Sequence, residues 1–235
     1  MSKRTARRVR SGTARDSEHV HAGDDAISSV RRLTPELFDP AAELLAHAFF
    51  TNPAHAYICP DPARRTAQLR WLLGGNLRLQ PDLTASFCVA RDSIVDAMGF
   101  WTPPGAAEIG FMAKVKAGIL AAPVRLGAGG TRRLLEVTSE IDRQRDRLLA
   151  DGPFWYLNNM AVREELRGTG IGTNLLREQL AGLTETAPAA PAALTTQRPE
   201  NVTFYRRLGF EIASEDIVGR GPGSFTNWTM LRPPG

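Results

Sequence analysis

Tyr156-Leu157-Asn158-Asn159-Met160-Ala161-Val162, continued by Arg163-Glu164-Glu165-Leu166 and Arg167-Gly168-Thr169-Gly170-Ile171-Gly172-Thr173, reads as a strand, a glycine-rich loop and the start of a helix. Tyr156 to Val162 is apolar and aromatic enough for a buried strand. From Ile171 onward, apolar residues recur at Leu175, Leu176, Leu180 and Leu183, close to helical spacing. Three glycines stand at the junction. Glycine lets the backbone take positive φ and lets a ligand approach the main chain, and the first turn of the helix offers unpaired N–H groups at its positive dipole end. A loop of this kind holds an anion, most often a phosphate.

Three nucleotide-binding patterns compete for the loop. A Walker-type loop needs Gly-Lys-Ser/Thr at its end, whereas Gly172 is followed by Thr173 and Asn174. The dinucleotide fingerprint needs its third glycine where Thr173 stands, and it normally opens a doubly wound domain instead of falling late in a chain. The pattern Gln/Arg-x-x-Gly-x-Gly/Ala is met by Arg167, Gly170 and Gly172, and it is the acyl-CoA pyrophosphate loop of the GNAT acetyltransferases. Downstream, Thr195-Thr196 ends an apolar run. Asn201-Val202-Thr203-Phe204-Tyr205-Arg206-Arg207-Leu208-Gly209-Phe210 then resembles the second signature of that family.

From about Ile27 to the C-terminus the chain therefore resembles a GNAT-fold N-acetyltransferase. The resemblance implies an α/β (α+β) fold: a central mixed, mostly antiparallel sheet, splayed at the acyl-CoA site and flanked by helices. It implies acetyl-CoA as cosubstrate and no metal. By the same resemblance, main-chain groups of Met160, Ala161 and Val162 pair with the pantetheine arm as if it were another strand. Arg167, Gly168, Thr169, Gly170, Ile171, Gly172 and Thr173 hold the pyrophosphate. Asn201 hydrogen-bonds the arm, although asparagine there would equally suit a helix N-cap.

Composition sets outer limits. The chain has 235 residues, 43% hydrophobic, with four tryptophans, enough for one sizeable core. No apolar run reaches the eighteen or so residues of a membrane span, and the polar, basic N-terminus lacks an apolar signal core, so a cytoplasmic location without a membrane partner is expected. Cys59 and Cys88 are too few and too far apart for a disulfide framework or zinc site. Residues 1–25 carry six basic and four acidic side chains, +2 of the net +4, leaving the body close to neutral. Residues 1–26 read as a disordered basic tail, with His19 and His21 at most a weak metal pair. Residues 27–235 read as a single domain. No clustered basic stripe points to nucleic acid.

Along the chain, Ile27 to Leu33 reads as a first strand, and Thr34-Pro35 as a helix start. Ala41, Leu44, Leu45, Ala48 and Phe49 form one face of a helix that should stop near Asn52-Pro53, with His47 a packing histidine. An aromatic, proline-rich connection over Ala54 to Pro62 precedes a second helix from about Ala63 to Leu79. In the family this connection lines the acceptor pocket, so Phe50, Tyr57 and His55 are candidates for substrate contact; packing beneath a loop would use the same residues. Leu83–Arg91 and Ile94–Trp101 read as a hairpin turning at Asp92-Ser93.

Residues 105–151 then form a helical insertion between strands three and four. One periodicity runs over Phe111, Met112, Val115 and Ile119, another over Leu134, Leu135, Val137, Ile141 and Leu148, with Gly127, Gly129 and Gly130 between them. Long insertions at that point occur in a subgroup similar to puromycin N-acetyltransferase. Phe100-Trp101-Thr102-Pro103-Pro104 and Trp228-x-Met230 agree with that subgroup.

The function implied is acetyl transfer from acetyl-CoA to a primary amine of a small molecule, such as an antibiotic or other toxic amine, by a monomer or homodimer. A protein or peptide acetyltransferase and a noncatalytic acyl-CoA sensor stay open. Tyr205 stands where relatives place the acid that protonates the departing thiolate, with Phe204 turned to the core and a short helix beginning at this pair. Asn158 and Asn159 occupy the strand where many relatives carry a glutamate base. An amide cannot accept a proton at useful pH, so the base is unassigned, with ordered water held by Asn158 as the favoured route. Glu136, Glu140 and Asp142 are possible carboxylates on the insertion, and Glu140 is the one expected at the substrate.

Overall fold

Asn52-Pro53 and Asp61-Pro62 each set a side-chain acceptor before a proline at the first helical position, and each starts a helix. The Asn52 Oδ1 accepts from the amides of Ala54 and His55, and Asp61 accepts from Ala63. The computed structural model describes residues 29–80, 82–106, 118–149 and 152–234. The basic tail and the periodicity from Phe111 to Val115 lie outside these residues.

The strands are β1 (Ser29–Arg32), β2 (Phe87–Arg91), β3 (Ile94–Thr102), β4 (Trp155–Val162), β5 (Ala192–Thr196), β6 (Glu211–Val218) and β7 (Phe225–Arg232). They form one mixed sheet in the order β1-β2-β3-β4-β5-β7-β6, antiparallel except where β4 meets β5. The helices are α1 (Phe38–Ala48), α2 (Pro53–Ile58), α3 (Pro62–Leu79), α4 (Ala122–Leu148), α5 (Ile171–Thr186) and α6 (Pro199–Arg206). Alternation along the strands divides the core. Met98, Phe100 and Ala161 pack with α1 to α4 on one face, and Trp101, Leu157, Leu194 and Met230 pack with α5 and α6 on the other.

Several expectations are corrected. The connection after α1 contains α2, because Asn52 caps it. His47 is not packed: its side chain is 65% exposed, with Nδ1 against the Glu43 carbonyl. Gly129 and Gly130 do not interrupt the insertion; only Gly127, at φ 74°, breaks helical geometry within α4. The helix bearing Tyr205 begins at Pro199, so Asn201 sits in its first turn and is not its cap. Both cysteines are free and buried, and burial pushes the Cys59 thiol up to about 11.

Candidate active site

Strand β4 pairs with β3 up to Val162 but with β5 only over Trp155, Tyr156 and Leu157. Beyond Leu157 its other edge has no strand beside it. A register shift accompanies the parting: Asn159 opposes Phe100 and Leu157 opposes Trp101, so Asn158 is the extra residue of a bulge. Its amide nitrogen donates to Thr102 Oγ1. Asn159, 6% exposed, has a side-chain nitrogen buried without a partner among the described residues.

The open edge leads from the glycine loop to a large cavity. Gly168 and Gly170 have φ of 79° and 90°, and Gly170 precedes α5 with no side chain capping its first turn. A Cβ on Gly172 would lie 2.8 Å from Val162 Cγ2, so this glycine lets α5 begin directly against β4. At the other end of the edge, Asn158, Asn159 and Met160 line a cavity of about 830 Å³. Asn201 and Tyr205 line it from α6, and Leu134, Val137 and Ile141 of α4 form an apolar wall. Asn201 donates to Thr196 Oγ1 at the end of β5. Tyr205 is 7% exposed, packed edge-on against Phe204 and Phe210, and burial holds its phenol well above its ordinary pKa. Tyr205, not Phe204, is thus the more buried of the pair.

Of the four residues expected at the substrate, Phe50, Tyr57 and Glu140 do not line this cavity. Phe50 packs beneath the Arg65 guanidinium, 4.9 Å from it. Tyr57 donates to Glu136 and packs against Phe225. Glu140 accepts from Arg143 and from Gln144. His55 does line the cavity, with Asn52, Trp71 and Gln197, which sequence reading passed over as site residues. An asparagine before a proline was the signal available for Asn52. Among the described residues no group of His, Cys, Asp or Glu is arranged to hold a metal, and no helix is long and apolar enough to cross a membrane.

Residues 85–212 match the model of the acetyltransferase (GNAT) domain, and the chain belongs to that family of acyltransferases. Solved structures agree in fold. An agmatine N-acetyltransferase superposes with TM-score 0.59 at 15% identity over 87% of this chain and 98% of that one. A protein from Corynebacterium glutamicum described as a histone acetyltransferase and related acetyltransferase gives 0.57 at 22%, over 88% and 96%. A polyamine N-acetyltransferase of Drosophila melanogaster, which forms N-acetylagmatine, gives 0.55 at 14%, over 87% and 99%.

Proposed function

We propose that this enzyme transfers an acetyl group from acetyl-CoA to the primary amine of a small molecule with an apolar body, a toxic amine or antibiotic being the class that fits, with self-protection as the use. The observation that carries this reading is the open edge of β4, running from the uncapped start of α5 to the cavity that Tyr205 and Asn159 line. The residues suit acetyl-CoA. Positive φ at Gly168 and Gly170 and the uncapped first turn of α5 favour the pyrophosphate, the edge of β4 beyond Leu157 favours the pantetheine amides, and the unpartnered Asn159 nitrogen is a donor for the thioester oxygen.

The walls support this choice of acceptor class. Asp142 and Asp146 stand at the cavity but both are bridged to Arg145, at 3.0 and 3.3 Å, while Leu134, Val137 and Ile141 present apolar surface. An apolar monoamine therefore suits the space better than the agmatine or polyamine acceptors named for two structural neighbours. A long α4 also agrees with the resemblance to puromycin N-acetyltransferases. The test is thiol release from acetyl-CoA over a panel of apolar amines, polyamines, aminonucleoside antibiotics and peptides, with mass detection of the acetylated product. Acetyl-CoA binding without turnover on any of these would favour the sensor.

A further inference from the structure

Four amide side chains and one carboxylate form a directed chain of hydrogen bonds that starts beside His55 and ends on Glu140. Asn52 Nδ2 donates to Gln197 Oε1 at 3.1 Å, Gln197 Nε2 to Asn227 Oδ1 at 2.7 Å, Asn227 Nδ2 to Gln144 Oε1 at 2.9 Å, and Gln144 Nε2 to Glu140 Oε1 at 3.1 Å. Both ends fix the direction. At one end Asn52 Oδ1 meets two backbone N–H groups, which require an oxygen; at the other, the Glu140 carboxylate requires a donor. Every amide between must then be oriented as written.

His55 Nδ1 also lies 3.0 Å from Asn52 Oδ1. An oxygen already accepting from two amides can only accept again, so Nδ1 carries the proton and Nε2 bears the lone pair. The ring is held in place by Phe49, with centroids 4.8 Å apart, and lines the cavity into which Asn158, Asn159 and Tyr205 also face.

We infer that His55 is the general base of the transfer, its tautomer locked by Asn52 so that Nε2 receives the proton of the acceptor amine. The inference rests on the acetyl-transfer reading above. The amine nitrogen forms a bond to the thioester carbonyl carbon and its surplus proton passes to Nε2. As the carbon–sulfur bond breaks, the thiolate takes the proton of Tyr205, and solvent restores both groups by taking a proton from His55 and returning one to Tyr205. Burial pushes His55 down to about 4, so the imidazole is neutral and its lone pair available at neutral pH. Proton loss from the amine becomes favourable as its nitrogen bonds to carbon, which is when an acceptor is needed. This also supplies the base that β4, with Asn158 and Asn159, does not.

Two measurements test it. Nitrogen-15 NMR of the imidazole in the full chain should show Nδ1 protonated and Nε2 bare at pH 7, and the opposite tautomer overturns the inference. His55→Asn keeps an amide N–H near the place of Nδ1 but has no lone pair at the place of Nε2. With an amine that the parent acetylates, its kcat should fall roughly 10²-fold or more, with acetyl-CoA affinity and melting temperature nearly unchanged. Turnover within about threefold of the parent overturns the base assignment and leaves the acetyl-transfer reading standing. A parent that acetylates no amine overturns both.

Discussion

Tyr205 and Gly170 show what single residues contribute. Tyr205→Phe keeps the ring against Phe204 and Phe210 and removes only the hydroxyl, which burial keeps protonated at neutral pH. As the acid of the transfer it should lose roughly 10²-fold in kcat while acetyl-CoA affinity holds, and steady-state rates beside a dissociation constant check this. Around Gly170 nothing lies within 4 Å of an added Cβ, so its need for glycine is conformational, arising from φ 90° at the loop. Gly170→Ala should cost about 1 kcal/mol in stability and weaken acetyl-CoA binding at least tenfold, measured by calorimetry. His55 gives a pH signature. Its folded pKa of about 4 lies below the ordinary 6.5, so between these values the unfolded chain binds a proton that the folded one refuses. Stability should fall as pH drops from 6.5 towards 4 and lose nothing further from this group below that. Urea midpoints at pH 7 and 4.5 should differ less in His55→Asn than in the parent.

Between elements, α5 is tied to β3 by one buried side chain. Gln179 Nε2 donates to the Gly99 carbonyl at 3.0 Å, and Trp101 Nε1 donates to Gln179 Oε1 at 3.0 Å. A Cβ on Gly99 would stand 2.1 Å from that Oε1. Gly99→Ala should displace Gln179, leave the indole N–H without its partner, and lower stability by about 2 kcal/mol, read from the urea midpoint at constant slope. A second tie fixes the loop end of β4. Asp96, fully buried on β3, accepts from Arg91 and from Arg163, which hold its carboxyl below the usual carboxylate range. Its contribution is present above pH 3.8 and is lost as pH falls through the lower folded value.

Across the whole molecule, the amide chain from Asn52 to Glu140 joins the turn before α2, the end of β5, strand β7 and helix α4. Asn227 and Gln144 are almost wholly enclosed, so removing either leaves one buried polar atom of the other, Gln144 Oε1 or Asn227 Nδ2, without its partner. Gln144→Leu and Asn227→Leu should each cost about 2–3 kcal/mol, and the double variant should cost less than their sum, because the second change removes the group that the first left unsatisfied. Guanidinium titrations of the four proteins check this.

The sequence by itself determined the elements whose signals are local. β4, the glycine loop and α5 follow from a buried apolar run, positive-φ glycines and helical periodicity. The hairpin at Asp92-Ser93 follows from two β-rich runs separated by two turn residues, and Asp92 takes φ 51°. These signals, with the downstream Asn201 to Phe210 stretch, were enough for the family. Tertiary structure alone decided which polar residues meet. Asn52, Gln197, Asn227 and Gln144 are far apart in the chain and have no periodicity in common; they are partnered only because α2, β5, β7 and α4 pack around one point. Glu140, expected at the substrate, shows the same dependence. A carboxylate on a helix carries no local mark of what it faces, and here it faces Gln144 and Arg143.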